Sequence, residues 1–435
     1  MHTIIKENSR PAIVEHEAQL QRAVMAYIIT GIAFMLLPGT FLGVWNLISI
    51  SNRHQLDSLS PAWLQAHGHA QIYGWIGTFI IGIGFYSLSK MGRLPRFAVR
   101  RAWQSYALWT VGVILRWSAN VTGWHWRIAL PVSAALELAG FLTFFVTVSR
   151  HKADPCVPRK PKEPWMLVVV GATCGFLFAL LLNMLATCQT AWTASSPAVS
   201  SILDQRMLAV PVWVFLVPTV WGFNARWLPV FLGLQAPNGK QLLTASGIAW
   251  AGVFFALAGH TLISAALDLL AAALATFALH IFHATENAAK TTGVHASFPS
   301  FVRIAYVWLA VAGILTVWAA SADHGGGIWG ASRHAVTVGF LGAMIFAIGP
   351  RILPAFCGGR VLFSKQLMLA SLLLLNTGCF LRVFSEIPAY EGFAYAQVFW
   401  RILPISAIAE LAGVTLFAAN MLVTFSRPPA HLTAR

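Results

Sequence analysis

Two segments of the 435-residue sequence place histidines in matching contexts. One begins at His69 and reads HAQIYGWIGTFIIGIG, and the other begins at His334 and reads HAVTVGFLGAMIFAIG, so both fit H-A-x3-G-x2-G-x6-G. Neutral imidazole is a good ligand for haem iron, copper or zinc, and two histidines on facing helices would suit a bis-histidine haem. We expect this pair to be ligands rather than interfacial histidines, because polar residues inside a membrane are costly and usually functional.

A further histidine, His67, precedes His69 in the tripeptide HGH. Histidines two residues apart on a regular helix point about 200° apart, so both cannot bind one metal. Either one of them faces the site, or the helix is unwound at Gly68. We expect His69 to face the site, because it is the histidine that is repeated at His334.

The helices that follow the histidines also resemble each other. GVILRWS, with Arg116, resembles GCFLRVFS, with Arg382. WRIALPVSAALELAG, with Glu137, resembles WRILPISAIAELAG, with Glu410. The matches keep their order and nearly constant spacing, which indicates an internal repeat.

The middle of the chain supplies a third copy. ARWLPVFLG, from Ala225, resembles PRILPAFCG, from Pro350, and SAALDLL, with Asp268, aligns with the two glutamate segments. Ala209 stands where the other copies have histidine, so a histidine site belongs to copies one and three. We therefore predict four-helix units at residues 22–155, 156–290 and 291–426, with cytoplasmic segments at 1–21 and 427–435.

The repeated carboxylates, Glu137, Asp268 and Glu410, need a partner or a proton inside a membrane. Arg116 and Arg382 are candidate partners in copies one and three. Two roles stay open for the carboxylates, namely fixing helix packing and relaying protons. Three arginines on the same side as the histidines either anchor the protein at the interface or bind haem propionates, and these are Arg127, Arg333 and Arg401.

Composition places these residues in a membrane protein. The chain is 57% hydrophobic and 10% charged with a mean hydropathy of +0.69, against about 25% charged residues in soluble proteins. Runs of ~20 apolar residues predict an all-α integral membrane protein with about twelve transmembrane helices. The net charge of +15 lies in short clusters between these runs, which is typical of membrane topology and not of nucleic-acid binding.

The distribution of basic residues predicts the orientation. With twelve spans, 22 of the 29 Lys and Arg residues fall on the side of both termini and 5 on the other side. The positive-inside rule places both termini in the cytoplasm. The polar N-terminus does not resemble a signal peptide. The five cysteines form no CxxC pattern, so a structural zinc site and covalently attached haem are unsupported.

Several segments resemble the NnrS family. They are AHGHAQIYGWIGTFIIG around His69, RHAVTVGFLGAM around His334, ARWLPVFLG, and RIAYVWLAVAGIL. The resemblance implies a twelve-span bacterial inner-membrane protein that contains haem and copper and is linked to nitric oxide stress and denitrification. It implies that His67, His69 and His334 bind haem or metal. That family usually has an acidic residue where this chain has Ala70, so a carboxylate that would orient a histidine is missing there, which favours haem over copper.

Three arcs of four helices also resemble haem–copper oxidase subunit I, where the low-spin haem lies between the second and tenth spans. This likeness leaves open a divergent oxidase or nitric oxide reductase, although the sixth span has no histidine and the seventh has only His260 at its end. A transporter is a further alternative, because internal repeats and buried carboxylates are common in transporters. The sequence leaves open whether the site turns over a substrate.

Overall fold

The computed structural model describes residues 10–55, 59–90, 98–149 and 163–429. These residues form helices, with no strand among them. The first helix, α1, runs through Arg10–Phe34, Met35–Phe41 and Leu42–Arg53. It therefore begins inside the N-terminal segment 1–21 that was predicted to precede the first span. Residues 1–9 and 430–435 of the two predicted terminal segments lie outside the described residues.

The remaining helices follow in chain order. They are α2 (Pro61–His69, Ala70–Gly77, Thr78–Lys90), α3 (Arg100–Thr122), α4 (Trp126–Ser149), α5 (Pro164–Thr193), α6 (Ser201–Val210, Pro211–Leu216, Val217–Leu232), α7 (Gly239–Leu257), α8 (Thr261–Ala278), α9 (Phe298–Ala322), α10 (Gly327–His334, Ala335–Gly342, Ala343–Phe356), α11 (Lys365–Tyr390) and α12 (Ala396–Ser426).

Within the described ranges, ten of these helices are long and apolar enough to cross a membrane. The ten exclude α2 and α3. In α3 the polar and basic residues, among them Arg100, Arg101 and Arg116, lower the hydropathy. The protein is therefore an all-helical, multi-pass membrane protein, and its contact with the lipid bilayer follows from these helices.

Three helix hairpins make the most extensive contacts between neighbouring helices, namely α3–α4, α7–α8 and α11–α12. In each hairpin a glycine of the first helix lies against a carboxylate residue of the second. The pairs are Gly112 with Glu137, Gly252 with Asp268, and Gly378 with Glu410. A side chain at any of these glycines would collide with the carboxylate residue, so the glycines allow the close approach of the helices.

Four helices contain π-helical segments, at Met35–Phe41, Ala70–Gly77, Pro211–Leu216 and Ala335–Gly342. Such segments are rare and occur frequently at functional sites. Those of α2, α6 and α10 occupy matching places in the repeated sequence, because they follow His69, Ala209 and His334 closely. In α2 and α10, the π-helical segment begins directly after the histidine that the sequence predicts to be a ligand.

Candidate histidine and arginine site

A cluster of polar residues lies buried at the end of the bundle where α1 finishes and α2 begins. We call it the polar cluster. It consists of His67, His69, Arg116, Glu137, Asp204, Arg333, His334, Arg382 and Glu386. Its members come from six helices, α2, α3, α4, α6, α10 and α11, so only the folded bundle brings them together.

His67 is oriented by the first helix. Its Nδ1 lies 2.9 Å from the carbonyl oxygen of Gly39, which belongs to the π-helical segment of α1. A carbonyl oxygen can only accept, so Nδ1 carries the proton and donates it, and Nε2 keeps its lone pair. The ring also packs on Gly43, where a Cβ would lie 2.5 Å from His67 Cε1. Both glycines thus fix the position of the imidazole.

His334 has the same hydrogen-bonding pattern. Its Nδ1 donates to the carbonyl oxygen of Gly330, one helical turn earlier, over 3.0 Å, and lies 3.7 Å from Glu386 Oε2. The side chain keeps 27% of its surface exposed, so the remaining ring nitrogen stays accessible to a ligand. Within the described residues, Nε2 of neither His334 nor His67 has a hydrogen-bond partner.

His334 interacts electrostatically with His67, while His69 bonds to Glu137 of α4. His67 and Arg382 both lie within electrostatic range of His334, and Arg382 lies within range of His67 as well. The helix that carries the HGH tripeptide is regular through His69 and is not unwound at Gly68. The two histidines of the tripeptide therefore diverge, as their spacing requires.

His69 points into the first four helices. Its Nε2 lies 3.2 Å from each carboxylate oxygen of Glu137, and its ring stacks on Tyr73 with the centroids 4.6 Å apart. The amide of Asn183 donates to the same carboxylate over 3.5 Å. His69 Nδ1 is buried without a hydrogen-bond partner among the described residues. The orienting carboxylate that Ala70 cannot provide is therefore supplied by α4.

The arginines do not bind the carboxylates that the sequence suggested. Arg382 donates to Glu386 over 2.9 Å, one turn along α11, and not to Glu410. Arg116 leaves Nε and Nη1 without a hydrogen-bond partner in the described part of the chain, although Glu137 and Asp204 are its nearest charges. The carboxylate of Glu137 is occupied by His69 instead.

Arg333 joins the polar cluster, and the other two predicted arginines lie apart from it. Arg333 is surrounded by the charges of Asp204, Glu386 and Asp323. The exposed Arg127 donates to the carbonyl oxygens of Ala191 and Ala194 over 2.7 and 2.9 Å, and its guanidinium stacks on Trp126. Arg401 is exposed and makes no hydrogen bond within the described ranges.

The three repeated carboxylates have different surroundings. Glu137 bonds to His69, and Asp268 lies within hydrogen-bonding range of Ser264. Glu410 lies near the charges of Arg382 and Glu386, and its Oε1 has no hydrogen-bond partner in the described part of the chain. Their contact with the hairpin glycines is the feature that they share.

Sequence reasoning missed Glu386, Asp204 and Tyr73. A signal existed for Glu386, because it lies four residues after Arg382 and side chains at this spacing are neighbours on a helix. Asp204 and Tyr73 have no such signal. Their roles depend on helix packing, since Asp204 of α6 lies between Arg116 of α3 and Arg333 of α10.

No three His, Cys, Asp or Glu side chains converge on one point within the described residues. The four cysteines that the structure describes are all free. Cys174 and Cys188 are exposed, Cys357 and Cys379 are buried, and Cys156 lies outside the described residues. The site is thus a histidine, arginine and carboxylate site, and it offers single imidazoles rather than a cage of ligands.

A family model described as a domain of unknown function, DUF8744, matches residues 179–425, which is more than half of the chain. The chain belongs to this family. The DUF8744 region begins within α5 and ends within α12, so it contains Asp204, Arg333, His334, Arg382 and Glu386. The first-repeat residues of the polar cluster precede it. Among curated proteins, none matches the chain.

The fold is that of a haem–copper oxidase. A solved structure of a haem–copper terminal oxidase dimer matches with a TM-score of 0.64 and 15% sequence identity. The match covers 94% of this chain and 85% of the oxidase chain. This confirms the oxidase-like architecture that the order of helices predicted. At this identity the likeness concerns the fold alone.

Proposed function

We propose that this DUF8744 protein binds haem, and that His67 of α2 and His334 of α10 would hold its iron. The proposal rests on the hydrogen-bonding pattern that the two imidazoles have in common. Each donates Nδ1–H to a backbone carbonyl oxygen, at Gly39 and Gly330, and each keeps a free Nε2. Metal-bound histidines almost always have such a second-nitrogen hydrogen bond, which fixes the tautomer and ring orientation.

The surroundings of these histidines fit a haem. Arg382 lies within electrostatic range of both rings, and Arg333 is adjacent to His334 in the chain. The Arg382 guanidinium at this end of the bundle would bind a haem propionate by charge-assisted hydrogen bonds, whereas Arg333 also lines a separate cavity. Arg127 and Arg401 are exposed and are not included in the proposed haem site. A haem held by two histidines supplies one-electron chemistry.

His69 has a different role in this proposal. Its Nε2 is held by Glu137 and its Nδ1 faces no partner among the described residues, so it would serve as an orienting or proton-holding group beside the haem. It would also be the first ligand for copper. Copper finds less support than haem, because no three His, Cys, Asp or Glu side chains of the described residues come together as ligands.

The biological role that we propose is protection against nitric oxide, as in the NnrS family. The segments around His69 and His334 support this role by their resemblance to that family. The proposal includes twelve spans in three units of four helices, with α2 and α3 also crossing a bacterial inner membrane and both termini in the cytoplasm. The matched π-helical segments and the three glycine–carboxylate hairpins support the three units.

An oxidoreductase is the second candidate, and the oxidase-like fold favours it. Oxygen or nitric oxide turnover of that type would need imidazoles from α6 and α7 beside the haem. The sequence has Ala209 and Ala256 on the facing stretches of these helices, and His260 lies just beyond α7. Alanine instead of histidine at these two positions favours a protein that binds a ligand or transfers electrons over an enzyme that reduces oxygen or nitric oxide.

The absorption spectrum of the purified full-length protein, expressed with sufficient haem, tests the proposal. We expect a low-spin haem spectrum in the parent protein, and loss of that spectrum in His67→Ala and His334→Ala. His69→Ala is the matched control, because His69 lies two residues from His67 in α2 and its Nε2 is already held by Glu137. It should keep the haem. A colourless parent protein would overturn the haem proposal, and full spectra in both ligand variants would overturn the assignment of the ligands.

A further inference from the structure

A separate cavity of about 70 Å³ lies among α6, α7 and α8 of the middle repeat and α9 and α10 of the third. Two of its walls are Ala209 and Ala256. In the aligned repeats, Ala209 stands where the other copies have His69 and His334. Ala256 follows Gly252 by four residues, as Arg116 follows Gly112 and Arg382 follows Gly378. The cavity thus lies where the middle copy has lost both a histidine and an arginine.

The carboxylate of the repeat has been kept at this cavity while its neighbours were lost. Asp268 lines the cavity, is 2% exposed, and has an Oδ1 without a hydrogen-bond partner among the described residues. Ser264, one turn earlier in α8, also lines it and lies within hydrogen-bonding range of Asp268. This oxygen lies against Gly252 of α7, so it is covered by the contact between α7 and α8.

Two arginines line the same cavity. Arg206 of α6 lies against Gly259 in the turn between α7 and α8, and Arg333 comes from α10. Neither guanidinium donates a hydrogen bond to another residue in the described part of the chain. Arg333 has acidic neighbours, Asp204 among them, whereas Arg206 makes no ion pair with another described residue. The cavity therefore presents two sets of unused N–H donors.

We propose that this cavity binds a small planar oxyanion between Arg206 and Arg333. Guanidinium groups present a rigid fork of donors that matches the oxygens of such anions. The volume has room for a few water-sized groups, at ~10–15 Å³ each, and it excludes a macrocycle. The hydroxyl of Thr261 also lines the cavity and adds a donor. The site is distinct from the proposed haem ligands, and its existence does not depend on them.

Binding of sodium nitrate to the full-length protein in detergent, measured by titration calorimetry at constant ionic strength, tests this site. We expect saturable binding that weakens at least tenfold in Arg206→Gln and in Arg333→Gln. Ala256→Leu should block binding by filling the cavity, while its thermal stability stays at least that of the parent. Arg401→Gln is the matched control, since this arginine is exposed and makes no hydrogen bond in the described ranges, and it should bind as the parent does.

Two further measurements separate the alternatives. Asp268→Asn removes a negative charge from the cavity and should bind nitrate as tightly as the parent or more tightly; loss of binding would overturn the anion site. The double variant His67→Ala/His334→Ala should keep the affinity, which distinguishes this site from haem iron. Absence of saturable binding in the parent, or equal weakening in Arg401→Gln, would overturn the proposal.

Discussion

At the scale of single residues, the strongest interaction in the site is the ion pair between Arg382 and Glu386. Both side chains are buried and the nitrogen and oxygen are 2.9 Å apart. Removal of one partner of a buried pair leaves an uncompensated charge and costs about 3–5 kcal/mol, whereas replacing both with apolar residues of similar volume is often neutral. We therefore expect Arg382→Ala to lower the thermal unfolding midpoint strongly, and Arg382→Met/Glu386→Leu to recover most of the loss.

Thermal unfolding of the purified protein in detergent measures this difference. Arg401→Ala provides the matched control, because it removes an exposed guanidinium at the same end of the bundle and should shift the midpoint little. If Arg382→Ala were as stable as Arg401→Ala, the pair would contribute nothing to the fold. If the double variant were no more stable than the single one, the cost would arise from lost packing rather than from an unpaired carboxylate.

The sequence identified His67, His334 and Arg382 as candidates, but it could not pair them. Repetition within the chain shows which positions matter, and it favoured His69 because that histidine recurs. The orientation of His67 depends on the carbonyl of Gly39, which lies 28 positions away in another helix. Helical periodicity gives the face of a residue and not the helix that it meets, so this contact required the structure.

At the scale of helices, the π-helical segment of α6 depends on its packing against α5. Phe176 of α5 stacks on Phe215 of that segment with the ring centroids 3.8 Å apart. Gly175 lies beside Phe176, and a Cβ there would overlap the backbone carbonyl of Val214. The segment was not predicted, because π-helices have no strong sequence signature. Three of the four π-helical segments nevertheless lie at equivalent positions of the sequence repeat.

Gly175→Ala should therefore destabilise the protein by about 1–3 kcal/mol, since overpacking forces the two helices apart. Gly171→Ala is its matched control on the same helix, one turn earlier, where a Cβ would meet nothing within 4 Å. That change should be neutral or stabilising, because alanine is favoured over glycine inside a helix by up to about 1 kcal/mol. Chemical or thermal unfolding in detergent compares the two, and equal stability of the variants would contradict the tight contact.

At the scale of the whole molecule, composition and charge predicted the class of protein correctly. Apolar runs of ~20 residues can only be helices when they cross a bilayer, because every backbone group must be bonded internally. The order of helices also predicted the oxidase-like fold. Hydropathy does not identify α2 and α3 as spans, and in α3 residues such as Arg116 of the buried cluster lower the apolar character.

The proposed orientation of the protein in the membrane can be tested by labelling cysteines in two loops. With all five cysteines replaced, single cysteines would be introduced at Ser196, between α5 and α6, and at Thr285, between α8 and α9; both positions are exposed. In the twelve-span topology these loops lie on opposite sides. The excess of Lys and Arg predicts that the Thr285 loop lies with the termini in the cytoplasm.

A membrane-impermeant maleimide should label Ser196→Cys in cells with an intact inner membrane, and Thr285→Cys only after that membrane is permeabilised. The reverse pattern would invert the topology and move the haem ligands to the cytoplasmic side, and equal labelling of both in intact membranes would exclude the twelve-span count.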